Sequence, residues 1–196
     1  AAKRILRYLK GSPEFGLMFR RSSKPLTLIA YSDADWAGCP DSRRSTTSFC
    51  VFLGSNLISW TAKKQPTVSR SSAEAEYRAL AHVCAESTWI SHLLTELQFP
   101  HPTPITLLCD NLSTTYMASN PVFHARTKHI ELDYHFIRER ILSGTHRVQF
   151  VSSLDQLADI FTKGLHKHRF TLLRSNLVSQ GQPSLRGCVK PPDLQL

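Results

Sequence analysis

Apolar residues recur along this chain with two different periods, and the points where the period changes divide it into strands and helices. Residues 1–10 put Ile5 and Leu9 on one helical face and Lys3, Arg7 and Lys10 on others, before Gly11 and Pro13 end the pattern. A short basic helix is predicted there. The run from Thr27 to Tyr31 suits a buried strand leading into the acidic turn SDADW, with Asp33 at or near the strand end. TSFCVFLG and LISWTAKK flank Gly54-Ser55-Asn56, which has hairpin chemistry, so three strands precede the first long helix.

That helix begins near SRSSAEAEYRALAHVC and runs towards Leu97, with Ser71 or Ser72 as its cap and Pro100 past its end. A fourth strand, ITLLCD, follows the spacer HPTP. After it come a short helix near Leu112 to Ala118, a loop rich in His and basic residues (NPVFHARTKH), and a second long helix. In that helix Ile130, Tyr134, Ile137 and Ile141 recur at spacings of four, three and four, and Gly144 sits where a C-terminal cap belongs. A fifth strand, HRVQFV, leads into SLDQLADIFTKGL, read as a short helix. Residues 169–178 add an amphipathic turn or two through Phe170, Leu173 and Leu177, and the residues from Gly181 on read as a disordered tail. The pattern is mixed α/β without internal repeats.

Composition narrows the function. A chain of 196 residues fits one domain plus appendages. Its 24 Lys and Arg against 15 Asp and Glu leave a formal charge of +9, which favours a polyanion, nucleic acid above all, over a neutral small-molecule substrate. No apolar run approaches the roughly 18 residues of a membrane-spanning helix, and no lipidation motif is present, so no membrane role is expected. The cysteines (Cys39, Cys50, Cys84, Cys109, Cys188) are odd in number and scattered, as expected in a reducing, intracellular compartment. None pairs with His124, His129 or His135 at zinc spacing. The opening AAKRILRYLKG lacks an initiator Met and a signal-peptide core, so a fragment of a longer polyprotein is expected.

Four acids stand where a sheet and its helices can converge: Asp33, Glu76, Asp110 and Asp159. Three have ordinary alternative roles, Asp33 as a turn residue, Asp110 as a helix cap and Asp159 as a carboxylate in a first helical turn. Glu76 fits such a role least. Its neighbour Glu74 can pair with Arg78 at i+4 on a solvated surface. Glu76 instead shares a face with Ala73, Ala79 and Leu80, a small apolar surface suited to packing on a sheet, and a carboxylate there must be satisfied by something. A metal ion answers that need. Clustered carboxylates with few nitrogen or sulfur competitors favour Mg²⁺, with Mn²⁺ as a substitute, and two such ions roughly 3.5–4 Å apart can drive phosphodiester hydrolysis.

The segments YSDADWAG, RRSTTSFCVFLG, LISWTAKKQPTVSRSSAEAEYRALA, CDN, RTKHIELDYHFIRE and QLADIFTKGL closely resemble the ribonuclease H domain of copia-type LTR retrotransposon polyproteins. The resemblance spans about residues 25–165. Residues 1–22 look like the end of a preceding reverse transcriptase, and 166–196 like a terminal helix and tail. It implies a ribonuclease H fold: a five-stranded mixed sheet, its first three strands antiparallel, with helices on both faces. It also implies an Asp-Glu-Asp-Asp metal site, with Asp33 at the first-strand acid, Glu76 in the helix motif Glu-x-x-Ala, Asp110 ending the fourth strand and Asp159 in Ala-Asp. Cellular ribonucleases H carry Gly-Ser where this chain has Ala34-Asp35, which leaves Asp35 open as a partner of, or substitute for, Asp33. VSSLDQLAD is too short to hold the catalytic His loop of many relatives, so the proton donor to the leaving group is unassigned.

The implied activity is endonucleolytic cleavage of the RNA strand of an RNA/DNA hybrid during reverse transcription, beside the reverse transcriptase domain of the same polyprotein and within a cytoplasmic virus-like particle. The alternative is a catalytically inactive module that only grips nucleic acid. An A-form-like hybrid exposes its 2′-hydroxyls in a wide, shallow minor groove, so RNA can be tested for without reading sequence. Arg43, Arg44, Lys63, Lys64, Arg126 and Lys128 are the candidates for phosphate contacts.

Overall fold

Leu28, Ile29, Ala30 and Tyr31 are apolar at four successive positions, the signature of a strand covered on both faces. In the computed structural model, which describes residues 2–21, 25–99, 101–102, 104–119 and 130–180, this run opens the central strand of the main sheet. The elements follow in the order α1 (Ala2–Lys10), β1 (Phe15–Gly16), β2 (Leu28–Asp35), β3 (Thr46–Leu53), β4 (Asn56–Lys64), α2 (Ser72–Glu96), β5 (Ile105–Cys109), α3 (Leu112–Ser119), α4 (Glu131–Leu142), β6 (His146–Phe150), α5 (Asp159–Thr162), α6 (Lys167–Leu177) and β7 (Ser179–Gln180). The main sheet has the order β4-β3-β2-β5-β6. β2, β3 and β4 are antiparallel, whereas β5 joins β2, and β6 joins β5, in parallel. This is the five-stranded mixed sheet the sequence predicts. A separate pairing of β1 with β7 had no sequence signal.

Alternation along the strands divides the core. Leu28, Ala30, Phe49, Val51, Ile105 and Leu107 pack with Tyr77, Leu80, Val83, Tyr134 and Ile137 from α2 and α4. The intervening residues Cys50, Phe52 and Tyr31 face the other way and meet Leu157, Ile160, Phe161 and Leu173 from the α5–α6 side. Helices therefore cover both faces. α1 buries none of its residues, and Ile5, Leu6 and Leu9 remain exposed.

Local signals decide most boundaries. Ser71 is the α2 cap: its hydroxyl accepts from Glu74 N–H at 3.1 Å, while Glu74 accepts from Arg70 N–H at 2.8 Å. Gly144, with φ +70°, follows the last turn of α4 in the left-handed conformation its position requires. Gly54 and Ser55 alone connect β3 to β4. At Gly54 φ is +61°, and a Cβ there would stand 2.6 Å from Leu26 Cδ2.

Two expectations need correction. SDADW does not turn at Ser32: β2 continues to Asp35, because Asp33 and Asp35 pair with Ser48 and Thr46 of β3 and ladder hydrogen bonds outweigh the turn-like composition. Within SLDQLADIFTKGL only Asp159–Thr162 is helical, and the residues before it are pinned by side chains. The tail from Gly181 and the loop NPVFHARTKH up to His129 lie outside the described residues.

His146, the first residue of β6, is buried between Ser87 Oγ and Thr145 Oγ1, each 3.1 Å from a ring nitrogen. Burial, then the positive charge of Arg140 and of His101, pushes its pKa down to about 4. The unfolded chain takes up this proton first, so the stability that His146 supplies is present above about pH 6.5 and is lost as pH falls towards 4. Denaturant unfolding between pH 7 and 4 should show an acid-side loss of up to about 3 kcal/mol in excess of that shown by His146→Gln.

Candidate metal centre and nucleic-acid surface

The centre is assembled at the carboxyl ends of the parallel pair β2 and β5. Asp33 sits inside β2, opposite Ser48 of β3, and is 1% exposed. Asp110 follows the last residue of β5. Glu76 comes from the first turns of α2, and Asp159 is the first residue of α5. One carboxylate oxygen from each of Asp33, Asp110 and Asp159 lies within 4.8 Å of the others; so do ligand atoms of Glu76, Cys109 and Asp110. The two groups share Asp110, so all four predicted acids converge. Asp35 joins neither group: its carboxylate lies over Gly38 in the following turn, where a Cβ would stand 1.7 Å from Asp35 Oδ2.

Buried hydrogen bonds hold the acids in register. Gln65 Nε2 donates to Ala75 O and to Thr47 Oγ1, each at 3.0 Å, and Ser69 Oγ donates to Gln65 Oε1 at 2.8 Å, fixing the start of α2 against β3. Gln156 Nε2 donates to Ser32 O at 2.9 Å, its Oε1 accepts from Ala158 N–H, and Ser48 Oγ donates to Ala158 O at 3.0 Å. Asp159 is thereby tied to the central strands. Ser153 Oγ donates to Asp110 Oδ2 at 2.8 Å. The cap of α3 is Asn111, whose Oδ1 accepts from Thr114 N–H at 3.0 Å, so Asp110 does not cap that helix.

The electrostatics are those of crowded anions. Burial, then the charges of Asp33 and Asp110, pushes the Glu76 carboxyl up to about 9, and its Oε2 has no hydrogen-bond partner among the described residues. Burial also raises Asp33, opposed by Thr162 and Lys163 and reinforced by Asp159 and Asp110. Burial works against the charge on Lys163, yet Asp159 and Asp33 hold its ammonium above the ordinary lysine range. Its Nζ is 2.5 Å from Asp159 Oδ1 and 3.2 Å from Asp33 Oδ1. Thr162 Oγ1 donates to Asp33 Oδ2, and Arg169 stands 3.7 Å from Asp159 Oδ2.

The donor set fits a hard divalent cation: carboxylate oxygens dominate, and two of them, Asp33 Oδ1 and Glu76 Oε2, are buried without a hydrogen-bond partner among the described residues. Cys109 does not spoil the fit. Burial and the neighbouring Glu76 raise its thiol, which keeps it protonated and a poor ligand.

Lys163, Thr162, Gln156, Ser153 and Cys109 were not singled out from the sequence. Lys163 carries a legible signal, its i+4 spacing from Asp159; Gln156 carries none, because its partner Ser32 is 124 residues away. Glu74 and Arg78 do pair, at 2.9 Å, but both are largely buried rather than solvated, and Arg78 also donates to Thr67 Oγ1.

The basic candidates form a second group. Arg43 and Arg44 end the loop before β3, and Lys63 and Lys64 end β4 opposite Thr47 and Thr46. Ser48, opposite Asp33, is two residues from Thr46 along β3, or ~7 Å. The four cations thus share the sheet end that carries the acids. Arg44 donates to Pro66 O at 3.3 Å, and Lys64 lies 3.0 Å from Cys39 Sγ. Arg126 and Lys128 lie outside the described residues. Among the described residues no helix is long and apolar enough to cross a membrane.

No family model matches the chain. It is 50% identical, over 94% of its length, to the retrovirus-related Pol polyprotein from transposon RE1 of Arabidopsis thaliana, and it spans 13% of that relative's length. Two solved structures share the fold: the N-terminal ribonuclease H domain of a Mycobacterium tuberculosis protein, solved as a fusion with maltose-binding protein (TM-score 0.53, 13% identity, 76% of this chain and 97% of that one), and LC11 ribonuclease H1 in complex with an RNA/DNA hybrid (TM-score 0.53, 10% identity, 69% and 94%). By sequence and fold together, the chain belongs among the retrovirus-related Pol polyproteins of copia-type transposons, as a domain with the ribonuclease H fold.

Proposed function

We propose that the domain is a metal-dependent endonuclease that cuts the RNA strand of an RNA/DNA hybrid during reverse transcription, beside the reverse transcriptase domain of its polyprotein. The observation that carries this reading is the convergence of Asp33, Glu76, Asp110 and Asp159, with Glu76 Oε2 buried and without a hydrogen-bond partner among the described residues. A purely structural site would not keep several repelling carboxylates buried at such a cost. These four acids would hold two Mg²⁺ ions, with Mn²⁺ as the substitute. Ions held there would activate a water and stabilise the leaving oxygen of a phosphodiester. Ser153, Thr162, Gln156 and Gln65 fix the carboxylates or the elements that bear them, so little reorganisation is needed as the substrate arrives.

Recognition of the substrate rests on shape and charge. The basic group at the same sheet end, Arg43, Arg44, Lys63 and Lys64, would take backbone phosphates while the 2′-hydroxyls of an A-form-like minor groove distinguish RNA. The hybrid in the LC11 ribonuclease H1 complex supports the assignment of substrate.

Replacing Asp110 with Asn should abolish cleavage of a labelled hybrid in Mg²⁺ yet leave the melting temperature unchanged or raised, since Asn111 rather than Asp110 caps α3 and one repelling charge is removed. Near wild-type cutting by this variant would refute the site. Glu74→Gln, which weakens the α2 cap without touching the acids, should keep its activity.

Stability without metal should fall as pH rises. The unfolded Glu76 ionises near its ordinary 4.5, whereas the folded one holds its proton to about 9, so each step upward in that window favours the unfolded chain. Melting curves from pH 5 to 9 in chelator should show this decline, Glu76→Gln should flatten it, and Mg²⁺ should reverse it in the wild type alone.

If the basic loops meet on the order of five phosphates, hybrid binding should weaken with salt at a log–log slope of about −4. Arg43→Ala with Arg44→Ala should flatten that slope by up to about two and leave the metal requirement intact; an unchanged slope places both arginines off the substrate track.

A further inference from the structure

Two of the four acids already hold a cation. Lys163 follows Asp159 by four residues, which returns its side chain over the start of α5, and its Nζ binds one oxygen of Asp159 (2.5 Å) and one of Asp33 (3.2 Å). The other oxygens of this pair are also served, by Thr162 Oγ1 at Asp33 and by Arg169 at Asp159. The opposite half of the centre differs. Among the described residues, Asp110 receives the neutral hydroxyl of Ser153, and Glu76 Oε2 receives nothing. Among the described residues, basic side chains thus stand on Asp33 and Asp159 and on neither Glu76 nor Asp110.

We propose that Lys163 is a built-in counter-ion, so that a divalent cation held by Asp33 and Asp159 binds in exchange for its ammonium. The inference rests on the metal-binding reading above. Lys163 is suited to such an exchange: its side chain is 40% exposed, and the long flexible stem lets the charge swing into water while the backbone stays in place. Arg169, 14% exposed and bonded to the carbonyls of Ser153 and Leu154, is fixed by comparison and remains beside Asp159. Lys163 is a positioning residue here. It keeps two buried carboxylates together when no metal is bound, and it competes with the metal for them.

These two roles have opposite signs, which separates exchange from mere support. Removing the charge should lower metal-free stability and raise cation affinity; a lysine that only stabilised the fold would lower the first and leave the second unchanged. The test is Mn²⁺ binding by the whole chain, followed through the resonance of free Mn²⁺ at fixed ionic strength, together with metal-free melting. Lys163→Gln should melt lower than wild type and bind Mn²⁺ about tenfold more tightly. Lys163→Arg should stay near wild type in both. Wild-type or weaker Mn²⁺ affinity in Lys163→Gln overturns the exchange. Should that variant fail to fold, acetylation of Lys163 in the wild type, followed by mass spectrometry with Lys167 as the internal reference, decides: Mn²⁺ should speed it severalfold, and an unchanged or slower rate overturns the proposal. A wild-type chain that binds no Mn²⁺ overturns the metal reading itself, whereas one that binds it with Lys163 indifferent overturns the exchange alone.

Discussion

Like charges crowded into a buried corner set the terms for the rest of this structure. Asp33, Glu76, Asp110 and Asp159 come from four separate elements, and ionising all four in so confined a place would set up a repulsion, sharpened by burial, that favours pushing those elements apart. The sheet opposes this through continuous pairing of β2 with β3 and β5, and through two apolar layers that bury Leu28, Val51, Tyr77 and Leu80 on one side and Cys50, Phe52 and Leu173 on the other. Apolar burial of that extent supplies far more free energy than the acids remove. The centre can remain strained because the core around it is not.

Neutral side chains do the fine positioning. Gln65 and Gln156 are almost wholly buried, and each spans two elements, α2 to β3 and the α5 approach to β2. An amide in such a place satisfies backbone groups without adding charge to a corner that already carries too much of one sign. The added positive charge is local: Lys163 and Arg169 meet Asp159, and Lys163 also meets Asp33. Arg43, Arg44, Lys63 and Lys64 stand further along the sheet end, away from the carboxylates. The acids and the basic edge thus occupy neighbouring parts of one sheet end.

The sequence by itself determined the order of the elements from β2 to β6 and pointed to the acids that the fold brings together. Period-two and period-3.6 patterns are local, so β2 to β6, α2 and α4 are legible from spacing, as are the Ser71 cap and the glycine after α4. Glu76 was legible because a carboxylate on an apolar helical face has no local explanation. Tertiary structure decided what depends on partners distant in the chain. β2 runs on through Asp33 to Asp35 because β3 offers it a ladder, and Asp33 rather than Asp35 enters the centre for the same reason of register. Gln156 acquires its role from Ser32, 124 residues away, and Lys163 its second carboxylate from a strand 130 residues earlier, separations at which no periodicity survives. Local chemistry named the carboxylates; only the packing of β2, β5, α2 and α5 could say which oxygens face one another and which cation already stands among them.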